Sequence, residues 1–369
     1  MGLSRYKLGE LIEQRREKNC NIEDLIIRGV SREGFIKPKQ IDADTSIYNV
    51  FYKKDFVFNP ARMELNSIAL NLNFEKAICS SLYEVFYVTR TDMLLPEYLN
   101  LIIKRDEFAR RCWFEAIGSA RNYFRVVNLS EFYIDLPPLA IQQKYVNVYN
   151  TMVANQKAYE RGLEDLKLTC DAYIEDLRRR IPCEAIGPYI ERHDVRNGPN
   201  GTKNVMGVST TKEFREPTSK VNRNDLANYK VVKPRQISFV QTTHNEKVFC
   251  NALNTTDEDI VVTSVNEVFS TNENKLLPEY LVMFFNRTEF DRYARYHSWG
   301  SARETFTWDD LVKVQIPIAD MEVQRSIVDI YTVYKKRKAI NEKLKAQIKA
   351  ICPILIKGSI EEGRNTKEA

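Results

Sequence analysis

Two long stretches of the chain place apolar residues three or four positions apart, with polar residues between them. In residues 141–180 the repeating positions are Tyr145, Tyr149, Met152, Gln156, Tyr159, Leu163, Leu166, Cys170, Tyr173 and Leu177. In residues 323–356 they are Ile330, Val333, Arg337, Ile340, Leu344, Ile348, Ile351 and Leu355. A mean spacing of about 3.5 residues is that of a coiled-coil seam, so the pattern predicts two long amphipathic helices. We expect the two helices to pack on each other; the alternative is that each packs only on its own domain.

Two further blocks, residues 1–140 and 184–322, mix short apolar runs with turn residues. The clearest predicted strands are rich in valine and aromatic residues and lie at 50–52, 56–58 and 84–88. Strands are also expected within 128–134 and 312–316, each followed closely by proline. Leu95-Pro96-Glu97 predicts the start of a helix with an apolar face that reaches Phe108, because proline fits the first turn and glutamate interacts favourably with the helix dipole.

The two mixed blocks repeat the same motifs 182 residues apart. The matching pairs of segments are 94–99 with 276–281, 105–108 with 287–290, and 118–121 with 300–303. Because all three pairs keep one offset, the sequence indicates two copies of a whole domain rather than a solenoid. Between these motifs, residues 32–80 and 210–262 share almost no sequence. We call these the divergent segments, and their difference is what two related domains would show if each recognised a different ligand.

Composition narrows the class of protein only slightly. A length of 369 residues fits two to three domains, and a formal net charge of +5 permits nucleic acid binding without establishing it. The chain has seven cysteines without C-x-x-C spacing and only three histidines, so we expect no zinc or other metal site. We expect the cysteines to be free thiols in a reducing cytoplasm. The first ten residues contain no apolar run and no stretch of eighteen apolar residues occurs, so neither a signal peptide nor a membrane span is expected.

The sequence lacks the motifs of the common enzyme classes. It contains no nucleotide-binding G-x-x-x-x-G-K-[ST], no G-x-G-x-x-G loop and no G-x-S-x-G nucleophile motif. We therefore expect no catalytic residues, although a self-contained enzyme with an unfamiliar site stays an alternative.

The repeated Gly-Ser-Ala-Arg motif is the strongest local indication of a binding site. Glycine and serine offer backbone N–H groups in a tight turn, and arginine offers a planar pair of donors, which suits a phosphate or a base edge. Arginine and aromatic residues surround both copies. The predicted DNA-binding residues are Arg121, Arg303, Ser119, Ser301, Arg125, Arg105 and Arg287. The alternative is that the turn only caps a helix and that its arginine pairs with acids inside the fold.

The order of these elements resembles the DNA specificity subunit of type I restriction-modification systems. The resemblance covers the whole chain and rests on the duplication, on the Gly-Ser-x-Arg turns and on the proline-containing segment before each long helix. That segment is Leu136-Pro137-Pro138-Leu139-Ala140-Ile141-Gln142-Gln143 in the first copy, and the second copy keeps Pro317 and Gln324.

The resemblance implies a non-catalytic reader of double-stranded DNA, with a bipartite asymmetric site and two helices that act as a spacer. It also implies two adenine methyltransferase (modification) subunits that bind S-adenosylmethionine, and motor-nuclease subunits that use ATP and Mg. A coiled-coil assembly adaptor without DNA binding is the competing interpretation. We expect an α+β fold in which two mixed α/β target recognition domains are joined by two long antiparallel coiled-coil helices with pseudo-two-fold symmetry. The expected divisions are 1–140 and 184–322 for the domains, 141–183 and 323–358 for the helices, and 359–369 for a polar tail.

Overall fold

The computed structural model describes residues 2–38, 40–41, 44–116, 123–199, 201–242, 248–300 and 304–365. The chain divides into two compact units. Unit 1 comprises residues 1–159 and 341–369, and unit 2 comprises residues 160–340. Each unit is described below by itself.

Among its described residues, unit 1 has ten short strands, three short α-helices, the 3-10 helices Leu8–Glu10 and Pro60–Leu65, and segments of two long helices. The strands are β1 (Ser4–Lys7), β2 (Ile12–Arg15), β3 (Gly29–Ser31), β4 (Gly34–Ile36), β5 (Asn49–Tyr52), β6 (Phe56–Phe58), β7 (Ile68–Leu70), β8 (Lys76–Cys79), β9 (Glu84–Val88) and β10 (Tyr133–Leu136). The short helices are α1 (Pro96–Ile103), α2 (Asp106–Glu115) and α3 (Val126–Ser130), and the long helix α4 (Leu139–Arg180) begins here. Strands β2, β9, β6 and β7 form an antiparallel sheet in that order, while β1 pairs with β10, β3 with β4 and β5 with β8.

Unit 2 repeats this arrangement element by element. Its strands are β11 (Cys183–Ala185), β12 (Ile190–His193), β13 (Gly207–Val208), β14 (Phe214–Arg215), β15 (Lys230–Val232), β16 (Ile237–Val240), β17 (Asn251–Leu253), β18 (Ile260–Val262), β19 (Asn266–Thr271) and β20 (Gln315–Pro317). Its helices are α5 (Pro278–Phe285), α6 (Thr288–Tyr296), α7 (Trp308–Leu311) and the start of α8 (Met321–Asn365). The main sheet has the order β12, β19, β16 and β17, and the three remaining pairs also recur.

The divergent segments therefore differ in sequence but not in fold. Strands β5 to β8 lie in residues 32–80 and pair as β15 to β18 do in residues 210–262. Even an unusual backbone position recurs: Lys54 and Arg235 both have a positive φ, and both form an ion pair with the glutamate in the first turn of the following helix, Glu97 or Glu279. Among the described residues, divergence lies in side chains, in loops and in the 3-10 helix Pro60–Leu65 between β6 and β7, which has no counterpart between β16 and β17.

The core of each unit lies between its four-stranded sheet, its first short helix and the adjoining long helices. In unit 1, Phe56 and Phe86 stack with ring centroids 4.8 Å apart, and Tyr98 and Leu99 of α1 are fully buried with them. Tyr98 also reaches α8, where its hydroxyl lies 2.7 Å from Ser359 Oγ. Tyr280 occupies the matching position in unit 2 and donates to Pro317 O at 2.9 Å. The apolar periodicity of α1 and α5 is explained by this burial.

The two long helices pair in an antiparallel direction where they meet in unit 1. Lys144 contacts Glu362 at 2.9 Å, whereas Gln156, later in α4, donates to Asn341, earlier in α8, at 3.1 Å. The predicted coiled-coil pairing is therefore confirmed within this unit, although both helices also pack on the domain core.

The predicted seam of α4 is half correct. Tyr149, Gln156, Leu163, Cys170 and Leu177 are buried as expected. Of the alternate positions, Met152, Tyr159 and Leu166 are half-buried, and two are displaced by one residue: Val146 and Ile174 are buried, whereas Tyr145 is only partly buried and Tyr173 is exposed. In α8 the predicted Val333, Arg337 and Ile340 are exposed and Asn341 is buried instead.

Three predicted boundaries were wrong. Helix α8 runs to Asn365, so residues 359–365 are helical rather than a polar tail, because Ser359 is fully buried and Glu362 pairs with Lys144. The predicted strand at 128–134 begins only at Tyr133, because residues 126–130 form α3, which Glu84 caps by accepting from Val126 N at 2.7 Å. The helix that begins at Pro96 ends at Ile103, so Phe108 belongs to a separate helix.

Each long helix is tied to its domain by a buried glutamine. In unit 1, Gln142 Oε1 accepts from Leu95 N at 3.0 Å, while its Nε2 donates to the carbonyls of Met93 at 2.8 Å and Pro137 at 2.9 Å. Gln142 is fully buried, so these bonds satisfy polar groups that water does not reach.

Gln324 makes the same three bonds in unit 2. Its Oε1 accepts from Leu277 N at 2.9 Å, and its Nε2 donates to the carbonyls of Lys275 at 2.7 Å and Ala319 at 2.8 Å. Each of these residues lies 182 positions after its counterpart. We call Gln142 and Gln324 the tether glutamines. The glutamine of the proline-containing segment thus has a structural role in both copies.

Candidate nucleic-acid interface

The structure places the predicted DNA-binding residues in very different surroundings. Ser119, Arg121, Ser301 and Arg303 lie outside the described residues, so their predicted role stays a prediction. The turn of unit 2 is described up to Gly300, which has a φ of +132°, a conformation that favours glycine. Two backbone hydrogen bonds join Trp299 and Thr305, at 3.2 and 2.9 Å.

Arg287 lies in the interior of unit 2 instead of on its surface. Its guanidinium donates to Glu175 and lies 3.7 Å from Asp171, both on α4, and only 4% of its side chain is exposed. The hydrogen bond from Arg287 holds the pKa of the Glu175 carboxyl below its usual value. This placement argues against a DNA contact and for a role in fixing α4 to the domain.

Arg105, the counterpart of Arg287 in unit 1, is more accessible. Its Nε donates to Ile102 O at 3.1 Å, and its Nη1 lies 3.7 Å from Glu107. The positions that correspond to Asp171 and Glu175 hold Pro353 and Lys357, so α8 has no acidic side chain at these two positions. The side chain of Arg125, the third described residue of the predicted set, is exposed in front of α3.

The clearest shared surface lies on the helix before each Gly-Ser-Ala-Arg turn. Helix α2 buries Phe108 and Cys112, and α6 buries Phe290 and Ala294. On the exposed side, α2 presents Arg110, Trp113 and Phe114; we call these residues the α2 surface. In unit 2, α6 presents Arg292, Arg295 and Tyr296, and Trp299 is exposed just after the helix; we call these four residues the α6 surface.

Two pairs of residues from these surfaces occupy equivalent positions of the repeat. Arg110 corresponds to Arg292 and Phe114 corresponds to Tyr296, each pair 182 residues apart. The sequence had indicated that arginine and aromatic residues interleave near the turns, but not which of them are exposed. Phe124 and Phe306, for example, belong to the same aromatic groups and are buried.

In unit 1 the α2 surface borders an open cavity. The cavity has a volume of about 390 Å³ and is lined by Arg32, Leu65, Asn66, Asp106, Ala109, Arg110 and Trp113. Arg32 donates to Asp106 at 3.0 Å across it. Arg32, Leu65 and Asn66 belong to the divergent segment, whereas the others belong to the shared helix α2. The cavity is therefore a place where side chains specific to one copy meet the common framework, and no sequence pattern had singled out these three residues.

Unit 2 uses the corresponding hairpin differently. Lys212, in the turn between β13 and β14, is buried and donates to Phe285 O at 2.7 Å and to Asp291 Oδ1 at 2.8 Å. Burial lowers the pKa of Lys212, and the bond to Asp291 opposes that effect. The hairpin of unit 2 is thus fixed against α6 by an internal ion pair, whereas Arg32 of unit 1 stays exposed.

The glutamates that begin the repeated Glu-Val-Phe segments in β9 and β19 have structural partners. Glu84 caps α3, and the buried Glu267 accepts from Arg192 at 2.7 and 2.8 Å. These contacts give both carboxylates a structural role. Among the described residues, no group of three or more histidine, cysteine or acidic side chains could hold a metal ion. None of the described helices is long and apolar enough to span a membrane.

Comparisons with known proteins agree with this architecture. Residues 188–350 match the family model of the type I restriction modification DNA specificity domain. No curated protein sequence matches the chain. Among solved structures, the chain is similar to the type I restriction-modification S subunit from M. genitalium, with a TM-score of 0.59, 12% identity, and 97% of this chain and 96% of that chain covered.

Two other solved structures are also similar. A chain from a study of complex assembly and conformational transition of the type I R-M system gives a TM-score of 0.52 and 16% identity, with 96% of this chain and 97% of that chain covered. The HsdS subunit from Thermoanaerobacter tengcongensis gives a TM-score of 0.43 and 16% identity, with 97% and 96% covered. Residues 188–350 therefore match the type I restriction modification DNA specificity domain, and 97% of the chain shares its fold with the S subunit from M. genitalium.

Proposed function

We propose that this chain reads a bipartite, asymmetric DNA site, with one half-site for each unit. The observation that supports this proposal is the pairing of one framework with two sets of side chains. Both units repeat the same strands and helices, yet the residues beside the α2 and α6 surfaces differ. Two copies of one fold would recognise two half-sites, and different side chains would make the half-sites unlike.

Within each half-site we propose a division between affinity and sequence reading. Arg110 and Arg292, kept at equivalent positions, contact phosphates, as do Arg121 and Arg303 of the turns. In unit 1 the cavity that Arg32, Leu65 and Asn66 line takes part in base reading, because those side chains come from the divergent segment. Residues common to both units then fix the register on the duplex, and residues specific to one unit choose its sequence.

We further propose that the chain directs partner subunits and performs no chemistry itself. Exposed apolar residues on the long helices, including Val148, Leu168 and Ile354, suit the docking of adenine methyltransferase (modification) subunits. Those subunits would bind S-adenosylmethionine, and motor-nuclease subunits, where present, would use ATP and Mg.

Methylation mapping tests the proposal. The chain is co-expressed with a modification subunit in a host free of other adenine methyltransferases, and methylated positions are determined across the genome. We expect two unlike short motifs around an unspecified gap. A Leu65→Ala variant should relax one motif only, whereas Leu82→Ala, which changes an exposed leucine away from the cavity, should leave both motifs intact. A continuous or palindromic motif would contradict the bipartite reading.

The competing function is a coiled-coil adaptor that binds no DNA, and the exposed apolar residues of the helices fit it equally well. The two functions differ in their response to salt. Binding to phosphates releases counterions, so retention of the complex on DNA must weaken as salt rises. An adaptor would show no DNA retention at any salt concentration while still assembling with modification subunits.

A further inference from the structure

Both units expose a large aromatic side chain at the same position of the repeat. Phe114 at the end of α2 is 80% exposed, and Tyr296 at the end of α6 is 85% exposed. A second aromatic residue accompanies each: Trp113 is 58% exposed and Trp299 is 78% exposed. Single exposed apolar residues are common on proteins, but here an exposed aromatic residue recurs at one position of two diverged domains, each time with a second exposed aromatic residue at a different nearby position, which indicates a ligand.

The charges around these aromatic residues indicate the chemistry of that ligand. Several acids of the two helices have cationic partners within their own unit: Asp106 pairs with Arg32, Glu107 with Arg105 and Asp291 with Lys212. On the same helices Arg110, Arg111, Arg292 and Arg295 are exposed; Arg111 lies over the Phe132 ring at 3.8 Å. Glu115 is the acidic exception. An aromatic side chain beside exposed arginines is complementary to an anionic ligand that also offers flat apolar faces.

We propose that Phe114 and Tyr296 insert into the base stack of duplex DNA, one in each half-site, and unstack the base step they enter. Aromatic and other apolar side chains act in this way in proteins that kink DNA, while neighbouring arginines hold the phosphates. Trp113 and Trp299 then cover the face of the base that is opened. This inference rests on the proposed DNA-reading function and adds a local distortion of the duplex to it.

Loss of an aromatic wedge and loss of a phosphate contact change the affinity for DNA and its salt dependence in different ways. Loss of the wedge removes stacking on one base, which should weaken DNA binding by roughly 5- to 150-fold. The number of counterions released on binding should not change, because no phosphate contact is lost. Loss of Arg110 should weaken binding most at low salt, because the plot of log K against log salt becomes shallower by about one unit. The salt slope therefore separates the two kinds of contact.

Fluorescence of 2-aminopurine tests the inference. The complex of the full chain with its modification subunits is titrated with duplexes that contain the mapped site and one 2-aminopurine, placed at each position except the methylated adenines. We expect a rise in fluorescence at one step in each half-site. Phe114→Ala should abolish the rise in one half-site only and weaken binding with an unchanged salt slope, and Phe114→Trp should restore both. Tyr296→Ala should act on the other half-site.

Matched controls and contradicting outcomes are available within the chain. Leu82 in unit 1 is 77% exposed and Val265 in unit 2 is 69% exposed, so Leu82→Ala and Val265→Ala remove similarly exposed apolar groups and should leave fluorescence unchanged. Wild-type binding with the same fluorescence in Phe114→Ala and Tyr296→Ala would overturn the wedge alone. Loss of assembly with modification subunits at unchanged DNA binding would overturn it in favour of protein docking. Failure of the wild-type complex to bind any DNA would overturn the proposed function together with the wedge.

Discussion

Replacement of Arg287 distinguishes a structural arginine from a DNA-binding one. Removing one partner of a fully buried ion pair costs about 3–5 kcal/mol, because a charge is left uncompensated. Here the acidic partners are partly exposed, Glu175 by 40% and Asp171 by 29%, so water can solvate them after the change. We therefore expect Arg287→Ala to lower the free energy of unfolding by about 2–3 kcal/mol. For a unit of this size that corresponds to a fall of about 4–12 °C in the unfolding midpoint.

Scanning calorimetry at neutral pH measures that fall, and Arg105→Ala is the matched control. Arg105 has the same place in the repeat, but its side chain is 24% exposed and its ion pair with Glu107 spans 3.7 Å, so its loss should cost less than about 1 kcal/mol. Below its melting temperature, the Arg287→Ala protein should bind DNA with an unchanged salt slope. A variant that melts like the wild type and binds DNA with a shallower slope would refute the structural assignment.

The same pair has a defined pH dependence. The pKa of Glu175 is lowered in the folded state, chiefly by its hydrogen bond with Arg287, from an ordinary value of 4.5. A lowered carboxyl pKa contributes stability above the unfolded-state value, and that contribution is lost as pH falls through the folded-state value. The difference in stability between the wild type and Arg287→Ala should therefore be constant above about pH 5.5 and shrink as the solution is acidified below pH 4.5. A difference that grows on acidification would show that Glu175 is not the partner that matters.

Three further predictions concern the framework and the exposed arginines. Gln142→Leu and Gln324→Leu should each lower the free energy of unfolding by about 3 kcal/mol or more, measured in urea, because each leaves three backbone groups without their partner; a cost below 1 kcal/mol would contradict the tether. Gln156→Leu alone should destabilise the chain because it removes the donor to the buried Asn341 Oδ1, and adding Asn341→Leu should recover part of the lost stability. A double-mutant cycle that shows no coupling between the two residues would argue against their hydrogen bond. Arg110→Gln and Arg292→Gln should each make the salt dependence of DNA binding shallower by about one unit without altering the methylated motif, and a changed motif would assign them to base reading instead.

Local patterns in the sequence predicted most elements and failed where long-range packing decides. The repeat, the two long helices and the strands near 50–52, 56–58 and 84–88 follow from periodicity and residue type. The exact seam does not: Val146 and Tyr145 are neighbours in a helix, and only the surrounding domain determines which of them is buried. The burial of Ser359 likewise depends on a distant residue, because its hydroxyl contacts that of Tyr98, 261 residues away in the sequence.

In the candidate site, too, local motifs could be recognised from the sequence but the surroundings of each residue could not. Arg105 and Arg287 both lie in the motif Arg-x-Glu-Phe. Arg287 nevertheless pairs with acidic side chains of α4 that have no counterpart in the first copy, and one of them, Glu175, lies 112 residues away in the sequence. The cavity residues Leu65 and Asn66 carry no recognisable motif, because a recognition surface is defined by geometry and not by spacing. The arginine and aromatic residues near the turns could be found from sequence, but their exposure could not.

The tether glutamines separate the parts of this chain that must stay constant from the parts that can change. Their bonds join the first turn of each long helix to backbone groups just before α1 and α5, and none of these groups lies in a divergent segment. Substitutions in the divergent segments can therefore accumulate without loosening the attachment of helix to domain. With this arrangement, recognition side chains can be substituted one at a time during evolution. The framework that positions them stays the same.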